Sequence, residues 1–216
     1  MNKGIKMKKI KTPVVSIDLE TTGLICGYNE IFEIGMVKLD RNFCLTNDIF
    51  HSYVRVIHPD RFSQRAQEVT GITPEELLQY PEIDIVKEEL INWIKRISPT
   101  SEMIRPLGQF FDGFDRGFLK LYLDKTFVIL DDDGNEKVVT EFDKHFLRSS
   151  IDLKHSAIDF DNWISYNNIP YKKIREYSLE KIAEYLQVKN PKAHSALNDA
   201  KTTAICYKKL LGIRRY

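Results

Sequence analysis

Residues 14–24 read Val14-Val15-Ser16-Ile17-Asp18-Leu19-Glu20-Thr21-Thr22-Gly23-Leu24, and this run decides the fold. Side chains alternate along a strand, so Val15, Ile17 and Leu19 share one face while Ser16, Asp18 and Glu20 share the other. The apolar trio anchors the strand in a core and Thr-Thr-Gly breaks it. The two carboxylates are therefore predicted to stand rigidly at a strand end beside a loop. Like charges held that close need a cation, and a divalent metal site belongs there. An Asp-x-Glu pair is also what an exposed, half-solvated strand carries, so the rest of the chain has to decide.

Two further clusters bear on it. One is Phe114-Asp115-Arg116-Gly117-Phe118-Leu119, and the other Ala193-His194-Ser195-Ala196-Leu197-Asn198-Asp199-Ala200. The latter opens a helix whose apolar stripe runs through Ala196, Ala200, Thr203, Ala204, Tyr207 and Leu211. Asp199 falls on or beside that stripe, where an ionised carboxylate is expensive unless it meets a cation or a metal. His194 stands just before it, where a loop enters the helix.

Asp18 and Glu20, then Asp115, then His194 and Asp199, in this order, resemble the histidine-bearing branch of the DEDD superfamily of 3′→5′ exonucleases, which includes polymerase proofreading subunits and ribonuclease T. The likeness runs from about Val14 to Leu211. Val69-Thr70-Gly71-Ile72-Thr73-Pro74-Glu75-Glu76-Leu77 is similar to the segment between the family's first two motifs, except that Thr70 stands where His is common. The approach to the second motif, Gly108-Gln109-Phe110-Phe111-Asp112-Gly113-Phe114-Asp115, is one residue longer than the usual pattern. Asp112 is thus a rival to Asp115, and Asp115 is preferred because Phe118-Leu119 follows it at the family's spacing.

The resemblance implies a ribonuclease-H-like α/β fold, a mixed sheet with three antiparallel strands first and parallel ones after, flanked by helices. It implies two Mg²⁺ or Mn²⁺ ions on Asp18, Glu20, Asp115 and Asp199, hard cations suited to oxygen ligands. His194 is the implied acceptor of the attacking water's proton, since an unperturbed imidazole titrates at about 6.5. Thr21, Thr22, Leu24, Thr70 and Phe114 are the implied contacts to the terminal nucleotide. The expected activity is release of nucleoside monophosphates from single-stranded or frayed 3′ ends, DNA in the first place, with a polymerase or replication partner in view. The alternatives are an RNA-processing exoribonuclease, an inactive nucleic-acid-binding module on the same fold, or a two-metal phosphohydrolase of small nucleotides.

At 216 residues, with 43% hydrophobic and 29% charged residues, the chain suits one soluble domain. A formal net charge of +1 does not advertise nucleic-acid binding, so local cations have to do the work. Lys3 to Lys11, Lys172-Lys173 with Arg175, and Arg214-Arg215 are the candidates. No run is long and apolar enough for a membrane span, and the Lys-rich start lacks the apolar stretch of a signal peptide. Cys26, Cys44 and Cys206 have no metal-ligand spacing, which with the foregoing points to the cytoplasm. Residues 1–12 read as a basic tail and 13–216 as one exonuclease domain.

Strands are expected at 33–39, 52–56 and 103–108, helices along Val86 to Ile97, Ile158 to Ile164 and Leu179 to Leu186, and a last short strand at Ile151-Asp152-Leu153. Thr126 to Leu130 and Lys137 to Thr140 flank an Asp-Gly turn, a hairpin inserted within 124–148. Beside the active-site face it would clamp the substrate strand; a plain sheet extension and a homodimer contact are the other uses.

Overall fold

The computed structural model describes residues 12–99, 103–130, 134–170 and 172–213. Strand β1 (Val14–Thr21) lies in the middle of a five-stranded sheet. It pairs antiparallel with β2 (Ile31–Leu39), which pairs antiparallel with the edge strand β3 (Leu45–Tyr53). On its other side β4 (Arg105–Gly108) and then β7 (Ile151–Asp152) run parallel to it. The mixed sheet is the one expected from short turns followed by helical crossovers.

The third strand departs from expectation: it spans 45–53, where the apolar reading favoured 52–56. Leu45-Thr46-Asn47-Asp48-Ile49-Phe50-His51-Ser52-Tyr53 is largely polar because an edge strand is half solvated, and its hydrogen bonds to β2 define it rather than its hydrophobicity. Val54 and Val56 are buried for another reason. Val56 packs with Phe32, Phe62 and Leu77 beneath the helices that follow.

Helix α8 (Ala196–Ile213) lies across one face of the sheet, its small residues Ala200 and Ala204 against Val14, Val37, Leu39 and Leu107. The approach is closest at Gly35, where an added Cβ would come within 2.2 Å of the Ala196 and Leu197 backbone. No other residue fits there without moving the helix. Ser16 Oγ donates to Ala200 O at 2.7 Å from the same face. The predicted stripe ended in Tyr207 and Leu211, but Cys206 and Leu210 are the buried residues. Helices α6 (Leu153–Tyr166) and α7 (Leu179–Tyr185) cover a second face of α8, so its burial follows two sides rather than one.

Val15, Ile17 and Leu19 point the opposite way, into a core formed with α3 (Ile83–Ile97), α4 (Asp115–Tyr122) and α5 (Glu141–His145). Between β3 and α3, Ser63 caps α1 (Gln64–Thr70), Gly71 ends it in the left-handed region, and Thr73 with Glu76 forms a capping box on α2 (Pro74–Leu77). The Thr70-to-Leu77 segment is thus a helix stop followed by a helix start.

β5 (Thr126–Leu130) and β6 (Glu136–Thr140) form the expected hairpin, paired only with each other. It follows the C-terminal end of α4, about 10 Å along the axis from Asp115. Phe127 of the hairpin lines a cavity with residues of α3 and α5. Among the described residues no helix is long and apolar enough to cross a membrane. The basic runs at 3–11 and 214–215 lie outside the described residues.

Candidate active site

Three elements deliver carboxylates to the carboxyl end of the parallel strands. β1 supplies Asp18 and Glu20. β4 runs into a 3-10 turn at Phe111–Gly113 and then α4, whose first residue is Asp115, 4% exposed. The first turn of α8 supplies Asp199, 8% exposed. Leu19 N–H donates to the Asp115 carboxylate, tying the helix start to β1. Asp112 has a different fate. Its side chain is nearly half exposed, takes Arg116 Nε at 2.6 Å and Ser150 Oγ at 2.7 Å, and so braces α4 from outside.

The electrostatics of the four acids are one-sided. Burial, then Asp115, Glu20, Asp199 and Glu33, raise Asp18 well above the carboxylate range. Burial followed by Asp199, Glu33 and Asp115 pushes Glu20 up to about 8. Asp115 is pushed up to about 8 by burial, with Asp152 adding to it. Burial also raises Asp199, against hydrogen bonds from Asn190 and His194. Among the described residues no salt bridge joins Lys or Arg to these four acids, and His194 works against the rise at Asp199.

Glu20, His194 and Asp199 bring ligand atoms within 4.8 Å of one another, an oxygen- and nitrogen-rich set that suits a divalent ion. His194 is exposed and takes a left-handed backbone, φ 60°, uncommon outside glycine. Its backbone N–H donates to Asp199 Oδ2 at 3.0 Å, and that bond holds the turn.

Beside Glu20 a groove of about 630 Å³ is lined by Thr21, Leu24, Ile25, Val69, Thr70 and Phe114, with Arg61 and Arg65 on its wall. Leu24 is 79% exposed, and Phe114 stacks toward Phe118 at 5.0 Å. Thr70 Oγ1 donates to Ala66 O at 2.7 Å, turning its hydroxyl back onto α1. Thr22 does not join them. It is fully buried, its hydroxyl takes Glu30 N–H at 3.0 Å, its own N–H donates to Glu30 O and its carbonyl takes Ser63 N–H. Thr22 is a turn-former, and its side chain does not line the groove. The groove's cations are also not those singled out in the sequence: Arg175 N–H bonds Asp161 on α6, on the α8 side of the sheet.

A family model described as an exonuclease, of the RNase T type, matches residues 15–207. The chain belongs to that family. It is 28% identical over 191 residues to a PolC-type DNA polymerase III of Thermotoga petrophila, covering 88% of this chain and 11% of the polymerase. It is 27% identical over 188 residues to the 3′-5′ exonuclease DinG of Staphylococcus epidermidis, 87% of this chain and 17% of that protein. The chain thus spans a small part of the curated relatives it matches. Among solved structures, the nuclease domain of 3′hExo, a DEDDh family member bound to rAMP, superposes with a TM-score of 0.64 at 19% identity, over 96% of this chain and 95% of that one. The fold is ribonuclease-H-like, as the motifs implied.

Two polar residues of this exonuclease domain escaped sequence reasoning. Glu33, opposite Glu20 on β2 and 2% exposed, takes His51 Nε2 at 2.8 Å and Ser195 Oγ at 3.1 Å, linking β2 to the residue after His194. A lone acid in Ile31-Phe32-Glu33-Ile34-Gly35-Met36-Val37 was a readable signal. Asn190 Nδ2 bonds Asp199 Oδ1, and nothing in the local sequence distinguishes that asparagine from a surface loop residue. His51 and His145 are hydrogen-bonded structural histidines, His145 on Glu141 at 2.9 Å.

Proposed function

We propose that this domain is a metal-dependent 3′→5′ exonuclease that removes nucleoside monophosphates from single-stranded or frayed DNA ends. The observation that carries it is the crowding of Asp18, Glu20, Asp115 and Asp199, all raised by burial and by neighbouring acids, with no salt bridge to Lys or Arg among the described residues. Such a set costs stability unless divalent cations occupy it.

Asp18, Glu20, Asp115 and Asp199 would hold two Mg²⁺ or Mn²⁺ ions, which supply Lewis-acid stabilisation of charge on the attacking and leaving oxygens. The chain's own residues do the rest. Leu24, Ile25, Val69 and Phe114 take the terminal base into an apolar groove, with Thr21 and Thr70 at its polar margin, and Arg61 and Arg65 meet phosphate. His194, exposed at the mouth and fixed by its N–H bond to Asp199, accepts the proton of the water that attacks the terminal phosphodiester. The P–O3′ bond breaks, the shortened strand leaves with a 3′-hydroxyl, and a 5′-monophosphate is released. The likeness to a PolC-type DNA polymerase supports DNA as the substrate and a replication setting in the cytoplasm.

The test is purified protein with end-labelled DNA and RNA oligonucleotides in Mg²⁺, Mn²⁺ or chelator. Stepwise shortening of DNA from its 3′ end, abolished by chelator, is expected. Tight binding without shortening, or cleavage of free nucleotides alone, overturns the reading.

A further inference from the structure

The groove beside Glu20 does not end at the terminal nucleotide. Tyr28, Asn29 and Arg61 line it and also line a second cavity of about 300 Å³ between the β1–β2 loop and α4. Tyr122, on the last turn of α4, lines that second cavity and a third of about 570 Å³ bounded by α3, α5 and the hairpin. Through these shared lining residues the three hollows adjoin, from beside Glu20 onto the α3–α4 side of the sheet.

Their chemistry repeats. Each stretch carries an aromatic ring with a cation on it: Arg61 over Tyr28 at 4.7 Å, Lys87 over Tyr122 at 5.5 Å, and on Phe127 both Lys144 at 2.8 Å and Lys125 at 5.5 Å. Tyr28 is 51% exposed and Leu121 beside it 53%, whereas Tyr122 is buried at 6%. At the far end the lysines outnumber the acids, and two of those acids are already engaged, Asp124 with Lys87 and Glu141 with His145. An exposed ring at Tyr28 with cations spaced beyond it suits a single nucleic-acid strand, since a base can stack on the ring and each further nucleotide brings a phosphate.

We propose that the adjoining hollows form a track that holds the single strand upstream of the nucleotide being removed, and that the hairpin supplies its distal end through Phe127 and Lys125. The proposal rests on the exonuclease reading above. It gives the hairpin a part in substrate binding through the cavity it shares with α3 and α5.

The experiment compares wild type with Lys87→Glu/Lys125→Glu, both exposed or half-exposed and both outside the groove at Glu20. Affinity for oligo(dT) of 3 and 12 nucleotides is measured by fluorescence anisotropy in Ca²⁺ across salt, and hydrolysis of a dinucleotide in Mg²⁺. Wild type is expected to bind the 12-mer at least tenfold tighter than the 3-mer. The variant should lose most of that difference and show a shallower salt slope, by roughly 0.7 per lysine removed, with dinucleotide turnover within about twofold of wild type. Equal binding of 3-mer and 12-mer by a wild type that shortens oligonucleotides overturns the track alone, as does an unchanged 12-mer affinity in a variant with wild-type melting temperature. A wild type that shortens no oligonucleotide overturns the exonuclease reading and the track with it.

Discussion

Asp161 and Asp115 are both 4% exposed, yet the structure treats them in opposite ways. On α6, Asp161 takes hydrogen bonds from Ile174 N–H at 2.8 Å, Arg175 N–H at 2.9 Å and the Tyr177 hydroxyl at 2.9 Å. The loop bends to supply them, with Arg175 in the left-handed region at φ 66°. At the end of β1, Asp115 and its neighbours meet one another instead, and the donors they have leave them raised. A buried acid is thus no mark of a site in itself. What marks one is a shortage of donors that a cation would make good.

The comparison breaks most sharply at the carboxylates. Asp18→Asn and Asp115→Asn are each expected to lower turnover by several orders of magnitude, while the melting temperature in chelator stays level or rises, because each removes a repelling charge. Metal-dependent thermal shifts should shrink in step. An active Asp115→Asn enzyme sinks the assignment.

His194→Ala should cost roughly 10² to 10⁴ in rate, the usual contribution of a positioned acid-base group. Calorimetric Mg²⁺ affinity should stay within a few-fold, and its collapse would make His194 a ligand instead.

At the other buried acid the prediction reverses. Asp161→Ala leaves three donors without their acceptor and should destabilise the fold by about 3 kcal/mol or more, visible in chemical denaturation. The rate per folded molecule should hardly change.

The pH dependence sharpens the contrast. Glu20 and Asp115 rise to about 8 from ordinary values near 4, so folding favours their protonated forms. That stability is whole below about pH 4 and is lost as pH climbs through 8. In chelator the melting temperature should therefore fall from about pH 5 to pH 8, and Asp115→Asn should remove part of the fall. Saturating Mg²⁺ should flatten or reverse it.

The smallest effect belongs to Asp112→Asn, less than about tenfold on turnover, since an exposed brace on α4 contributes less than a partner of a metal ligand. A larger loss there than at Asp115 would mean that the extra residue in this motif follows the ligand.

Much of this was legible beforehand. Period-two alternation placed Asp18 and Glu20 on one face, and the helical stripe from Ala196 placed Asp199 at a buried helix start, because both periods are local geometry. The third strand was misplaced because an edge strand is defined by its partner and not by its own apolar content. The burial of Thr22 was not readable, because whether a turn hydroxyl faces solvent or Glu30 depends on how the loop closes over it.

The order of the acids and the strand and helix that carry each were written in the chain, since each depends on residues a few positions apart. Tertiary structure alone decided that Asp115 turns inward and Asp112 outward, that Glu33 and Asn190 reach the site, and that three hollows share their walls. Those facts join residues as far apart as Glu33 and Ser195, and no local pattern encodes which distant side chain will supply, or withhold, a hydrogen bond.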